Sequence, residues 1–221
     1  IICYEIFKIF NERLFEKNRT NIKICGIADA QTLNAICEHH INYVGFIFYN
    51  KSIRNVTSDF LLELKAINFE STRPVCVFVN PSEEEVYKAI SFFENPILQF
   101  HGDETCEFCE SFGMDYWKTI HMQSEASLNA IENYSSADAF LLETFKKDAY
   151  GGTGESFNWS FVTDELLANT NIILSGGINL KNIDNALTVK PWCLDINSGV
   201  ESKPGIKDTL LIDAMIKKIR S

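Results

Sequence analysis

No apolar run in this sequence reaches the ~20 residues that a membrane-spanning helix requires, so a membrane-embedded role is not expected. Positive charge is scarce: 20 Lys and Arg stand against 30 Asp and Glu, a formal net charge of −10. A chain this acidic is a poor general binder of nucleic acid or anionic lipid. Small phosphates are still admissible, because backbone dipoles bind them locally against the global field. A disulfide framework is also missing. The seven cysteines (Cys3, Cys25, Cys37, Cys76, Cys106, Cys109, Cys193) are odd in number, and 221 residues is long for a disulfide scaffold. They read as reduced thiols, and the expected compartment is the cytoplasm. The apolar start, Ile1 to Phe10, is interrupted by Glu5 and Lys8 and has neither a preceding basic region nor a following small-residue cleavage site. It does not read as a signal peptide.

What the sequence contains is a repeated alternation. Hydrophobic residues make up 46% and charged residues 23%, close to the globular average. Short apolar β-branched runs at 22–27, 43–48, 75–79, 97–100, 116–121, 139–143, 171–174 and 193–197 are each followed by a helical pattern. Asp29 is placed to cap the first helix, and Ser82 with Glu85 forms a capping-box pattern. The runs are nearly all apolar, as strands covered on both faces must be. Repeated βα units imply right-handed crossovers and a parallel sheet. Eight units without a composition break favour an α/β fold of one closed (β/α)8 TIM barrel over 21–221, rather than a doubly wound sheet. Residues 1–20 form a short N-terminal extension of unassigned role, in which Phe7, Phe10, Leu14 and Phe15 fit one face of an extra helix.

In such a barrel the chemistry sits where strands end and βα loops begin. The polar and glycine motifs fall there. Cys25-Gly26 ends the first strand, and Arg54 lies in the loop after the second. Gln99 and His101 end the fourth, Glu143 ends the sixth, and Asp195 sits in the eighth. Three late loops are candidates for a phosphate cradle: Gly152-Thr153-Gly154, Ser175-Gly176-Gly177 and Asn197-Ser198-Gly199. Glycine lets the backbone close on an anion and aim its N–H groups at it, although each motif alone also makes a turn. Arg54 is either a solvated loop charge or a forked donor for a carboxylate. His101 is either structural or functional. Cys25 is either a core thiol or a reactive one; Lys23, two residues earlier on the same strand face, would favour its thiolate.

Two patterns carry little. Cys106-x-x-Cys109 lacks a second pair, and on a helix the two merely share a face. His39-His40 ends the first helix, at the opposite barrel end from the expected site.

Taken together the motifs resemble those of the phosphoribosylanthranilate isomerases. The resemblance covers about residues 22–219 and rests on Lys23-Ile24-Cys25-Gly26-Ile27, Gly45-Phe46-Ile47-Phe48 with Ser52-x-Arg54, Val77-Phe78-Val79-Asn80, Gln99-Phe100-His101-Gly102, Gly151-Gly152-Thr153-Gly154 with Phe157-x-Trp159, Ser175-Gly176-Gly177, and Asp195-x-x-Ser198-Gly199-Val200-Glu201 with Gly205-x-Lys207-Asp208. It implies an Amadori rearrangement of N-(5-phosphoribosyl)anthranilate, a step of tryptophan biosynthesis, with no cofactor and no metal. Cys25 would be the general base and Glu143 the general acid. Arg54 would hold the anthranilate carboxylate, Asp195, Gln99 and His101 would lie at the substrate, and the three glycine loops would hold the phosphate. The expected partner is a small phosphorylated substrate, with no nucleic acid and no membrane, and the chain is expected as a monomer or homodimer. The resembled pattern has aspartate where Glu143 stands; Asp148 is a substitute acid if Glu143 is misplaced. Asn197 stands where serine is usual. A histidine-pathway isomerase is disfavoured, because Cys25 and His121 occupy the strand ends where that enzyme has aspartates. A phosphosugar binder that lost its acid is the non-catalytic rival.

Overall fold

The computed structural model describes residues 19–145 and 156–221. Most of the N-terminal extension, Asp148 and the Gly151–Gly154 motif lie outside the described residues. Eight parallel strands close into a barrel in chain order. They are β1 (Asn21–Cys25), β2 (Tyr43–Phe48), β3 (Arg73–Phe78), β4 (Ile97–Phe100), β5 (Tyr116–Met122), β6 (Ala139–Thr144), β7 (Ile172–Leu174) and β8 (Cys193–Ile196). Closure is made by β8 against β1, where Lys23 lies opposite Asp195. The helices between are α1 (Ala30–Glu38), α2 (Ser58–Glu63), α3 (Glu83–Ile90), α4 (Cys106–Glu110), α5 (Asp164–Asn169), α6 (Ile183–Thr188) and the closing α7 (Thr209–Arg220). Side-chain caps start most of them: Asp29, Thr57, Ser82, Thr105, Thr163 and Asp208 each accept a backbone N–H. Each such cap contributes about 1 kcal/mol.

The strand period of two sorts residues to the two faces of the closed sheet. Val75, Val77, Ile97, Trp117, Ala139, Leu141, Ile173 and Cys193 pack inside the barrel together with Cys25. Their neighbours in sequence, among them Ile24, Phe46, Leu142 and Leu194, face the helices in the larger core. At the amino end of the barrel Tyr43 and Trp192 close over Trp117, with ring centroids 4.9 and 5.9 Å from it. Inside, the contents therefore change from aromatic at the floor to aliphatic to polar at the mouth, where Lys23, Gln99, Thr119, Glu143 and Asp195 are all buried.

Several elements differ from the sequence expectation. Residues 125–133 form a 3-10 helix instead of an α-helix. Leu128 and Ile131 repeat at a spacing of three and no residue of the segment is buried, so nothing selects the 3.6-residue period. The helical pattern after the sixth apolar run divides into a 3-10 turn, Trp159–Phe161, and α5. A small antiparallel hairpin, β9 (Glu201–Lys203) with β10 (Ile206–Lys207), was not foreseen. His39 and His40 sit at the end of α1, where their carbonyls accept from Arg220 of α7.

Candidate active site at the carboxyl end of the barrel

Cys25 is the last residue of β1 and is buried. Gly45, opposite it on β2, makes room for it: a Cβ there would stand 2.6 Å from the Cys25 sulfur and 3.1 Å from Lys23 Cε. Lys23 is fully buried and donates to Asp195 Oδ1 at 2.9 Å. Burial pulls the Lys23 pKa down, but Asp195 and Cys25 outweigh it and hold the ammonium above the ordinary lysine value. Lys23 does favour the Cys25 thiolate, as its place on the strand predicts, but it does not decide the balance. Burial dominates and pushes the Cys25 thiol up, Lys23 only partly opposes it, and Asp195, which neutralises Lys23, adds to the rise. Asp195 is thus tied to Lys23, and its Oδ2 also accepts from Ser175 Oγ at 3.4 Å.

Across the mouth, His101 Nε2 stands 2.8 Å from Glu143 Oε2. His101 Nδ1 lies 2.9 Å from Thr119 Oγ1 and 3.2 Å from Gln99 Nε2. His121 Nε2 is 3.0 Å from the His101 carbonyl, and His121 lies opposite Glu143 in the β5–β6 register. Burial and the neighbouring His101 lower the His121 pKa, which favours the neutral ring. Gln99 on β4, His101 just after it and Glu143 on β6 thus come together across β5, joined by the Gln99–His101 contact and the His101–Glu143 pair. His121 and Thr119 belong to it and were not singled out from sequence, although their placement two residues apart on β5 was visible.

Arg54 lies at the rim with Cys25 and Glu143 both close enough to act on its charge. It is not a solvated loop charge. Its Nε and Nη2 donate to Glu201 Oε1 and Oε2 at 2.6 and 2.8 Å. Lys207 Nζ reaches the same carboxylate at 2.9 Å, and donates to the Asn197 backbone O and Oδ1 at 2.8 Å each. Burial alone would raise the Glu201 pKa, but the Arg54 and Lys207 bonds prevail and hold it at about 2. Arg54 is thereby fixed with two of its nitrogens used, and Nη1 takes no partner among the described residues. Glu201 and Lys207 stand in a quoted motif, but nothing in the sequence placed them behind an arginine 147 residues away from Glu201.

Of the three expected phosphate loops, two are described. Ser175-Gly176-Gly177 follows β7 and Asn197-Ser198-Gly199 follows β8. The Gly176 and Gly177 amides bond to no described residue, while the Gly177 carbonyl accepts from Asn179 Nδ2 and Asn182 Nδ2 at 2.7 and 2.9 Å. This leaves two amides without a partner among the described residues on a pinned turn. A Cβ at Gly199 would lie 1.8 Å from the Ile178 carbonyl, so only glycine lets the two loops interlock. Gly152, Thr153 and Gly154 lie outside the described residues.

One buried ion pair supports the mouth from beneath. Lys118 Nζ donates to Glu104 Oε2 at 2.9 Å and to the Gly102 carbonyl at 2.6 Å, and Glu104 accepts from the Gly102 and Asn80 amides. This fastens the turn that carries His101. Breaking a buried pair leaves an uncompensated charge, so Lys118→Ala is expected to cost about 3–5 kcal/mol. Urea unfolding measures this; a loss below about 1 kcal/mol, the value of a surface pair, would contradict the role.

The fold and site define a barrel enzyme of the acid–base kind, with a thiol, an imidazole–carboxyl pair and two amides without described partners at one barrel end. The sequence matches the family model for N-(5'-phosphoribosyl)anthranilate (PRA) isomerase over residues 22–218. The N-(5'-phosphoribosyl)anthranilate isomerase of Leptothrix cholodnii is 37% identical over 204 residues, covering 91% of each chain. The crystal structure of the Thermotoga maritima phosphoribosyl anthranilate isomerase superposes with a TM-score of 0.81 at 29% identity, over 91% of this chain and 98% of that one. A phosphoribosyl anthranilate isomerase in complex with reduced 1-(o-carboxyphenylamino)-1-deoxyribulose 5-phosphate gives 0.78 at 29%, with the same coverage. This chain belongs to the phosphoribosylanthranilate isomerase family.

Proposed function

We propose that this protein is a cytoplasmic phosphoribosylanthranilate isomerase, converting N-(5-phosphoribosyl)anthranilate to 1-(2-carboxyphenylamino)-1-deoxyribulose 5-phosphate in tryptophan biosynthesis. The observation that carries the assignment of roles is the shared location of Cys25, the His101–Glu143 pair and Arg54 at the barrel end that also holds the glycine loops. Glu143 protonates the ribose ring oxygen, and the ring opens to a Schiff base. Cys25 removes the C2 proton, and the electron pair moves toward the iminium nitrogen. The resulting enolamine tautomerises to the ketone. Cys25 acts as the thiolate, its own proton having passed to solvent; burial disfavours that form, while Lys23, Arg54 and Lys207 lie near enough to stabilise it and C2 is made acidic beside the iminium.

Glu143 must carry a proton to act as acid. Gln99 Oε1 is buried without a hydrogen-bond partner. Turning the Gln99 amide, whose O and N are interchangeable by shape, sets Oε1 against a proton on His101 Nδ1. His101 Nε2 is then left as an acceptor toward Glu143 Oε2, 2.8 Å away. Arg54, fixed by Glu201, offers Nη1 to the anthranilate carboxylate, and the Gly176 and Gly177 amides with the Asn197-Ser198-Gly199 loop hold the phosphate.

The test is loss of anthranilate-type fluorescence as substrate made in situ is consumed. Turnover by the wild-type chain is expected, and its absence would overturn the assignment. Arg54→Ala is expected mainly to raise KM; an effect confined to kcat would contradict the carboxylate role.

A further inference from the structure

We propose that His101, His121 and Glu143 form a binding site for a divalent transition-metal ion, zinc by preference, and that its binding takes Glu143 out of acid catalysis. One ligand atom from each residue falls within 4.8 Å of the others. Ligands bonded at about 2.0–2.2 Å stand roughly 3–3.6 Å apart around one ion, so rotamer-scale adjustment closes the set. The closest pair, His101 Nε2 and Glu143 Oε2, is at 2.8 Å. Two imidazoles and one carboxylate form a donor set suited to zinc and its neighbours, and unsuited to magnesium or calcium.

The positions are held by the barrel. His121 and Glu143 are register partners on adjacent strands, and His101 directly follows the strand on the other side of β5. The hydrogen bonds that orient metal-ligating imidazoles are also present: Thr119 Oγ1 and Gln99 lie against His101 Nδ1, and the His101 carbonyl against His121. Glutamate makes the site. An aspartate at position 143, one methylene shorter, would withdraw its carboxylate from His101 Nε2. The ion bonds to the carboxylate oxygen and imidazole nitrogen lone pairs and displaces any proton they share. The binding half stands on geometry alone; the inhibition half rests on the isomerase reading.

The test is calorimetric titration of the whole chain with zinc chloride, and with cobalt(II) for its absorption spectrum. One equivalent is expected to bind. Cobalt should show d–d bands without the sulfur-to-metal charge-transfer band that a cysteine ligand produces. Thr119→Ala should weaken binding about 10–100-fold, as loss of an orienting partner does, and His121→Asn should weaken it further. Saturable loss of turnover with zinc, restored by a chelator, completes the expectation. No stoichiometric binding, a sulfur charge-transfer band, or unchanged affinity in His121→Asn would overturn the site. Binding without inhibition would overturn the coupling to Glu143. A wild-type chain inactive before any metal is added would instead overturn the isomerase reading, and the titration would still decide the site.

Discussion

Replacing Cys25 with alanine is expected to lower kcat about 10²–10⁴-fold, the usual contribution of a positioned general base. Binding of a reduced product analogue should be largely kept, because the carboxylate and phosphate stations are elsewhere. The thiol is buried beside the Lys23–Asp195 pair, and Gly45 leaves space at the sulfur, so alanine introduces no clash. Near-normal turnover would exclude Cys25 as the base. The same burial gives a pH signature. The free enzyme holds the thiol above its ordinary value, so a thiolate-dependent kcat/KM rises with pH beyond the ~8.5 of a free thiol. Alkylation by iodoacetamide should be slow at neutral pH and accelerate along the same curve. A profile that levels off below neutrality would mean that the nearby cations outweigh burial.

Glu143→Gln is expected to cause a loss of the same order, about 10²–10⁴-fold in kcat. The amide fills the space but has no proton of the required acidity to give to the ring oxygen. Glu143→Asp separates two accounts of the extra methylene. The carboxylate reaches His101 Nε2 at 2.8 Å, and a retreat of about 1 Å costs on the order of 10² in rate. A drop of that size in the aspartate variant shows that this site is built around glutamate. An inactive wild type rescued by aspartate would instead mark a binder that lost its acid.

The barrel was legible because the strand period and the βα alternation are local signals, repeated eight times. The mouth residues were legible because a parallel barrel puts every strand end on one rim. What stayed hidden depends on closure. Asp195 neutralises Lys23 across 172 residues, Glu201 holds Arg54 across 147, and neither pairing leaves a trace in spacing. The net balance at Cys25 is hidden for the same reason: the lysine two residues away that favours the thiolate is visible in sequence, but the carboxylate that occupies it and the burial around the sulfur are not. His121 was passed over as a strand-end residue, although its parity with Thr119 already turned it inward.

The interlock of Gly199 beneath the Ile178 carbonyl makes the turns after β7 and β8 a single mechanical part. Neither can shift, lengthen or take a side chain there without moving the other. In the proposed site a ligand's phosphate would meet a socket whose ordering was completed during folding, with little conformational entropy left to lose on binding. The opposite side of the mouth is tied by side chains instead, Glu104 on the turn after β4 and Glu201 behind Arg54, and such ties can be exchanged one at a time. Changes that retarget this enzyme to another phosphorylated compound should accumulate on that side, while the socket stays fixed as the common handle.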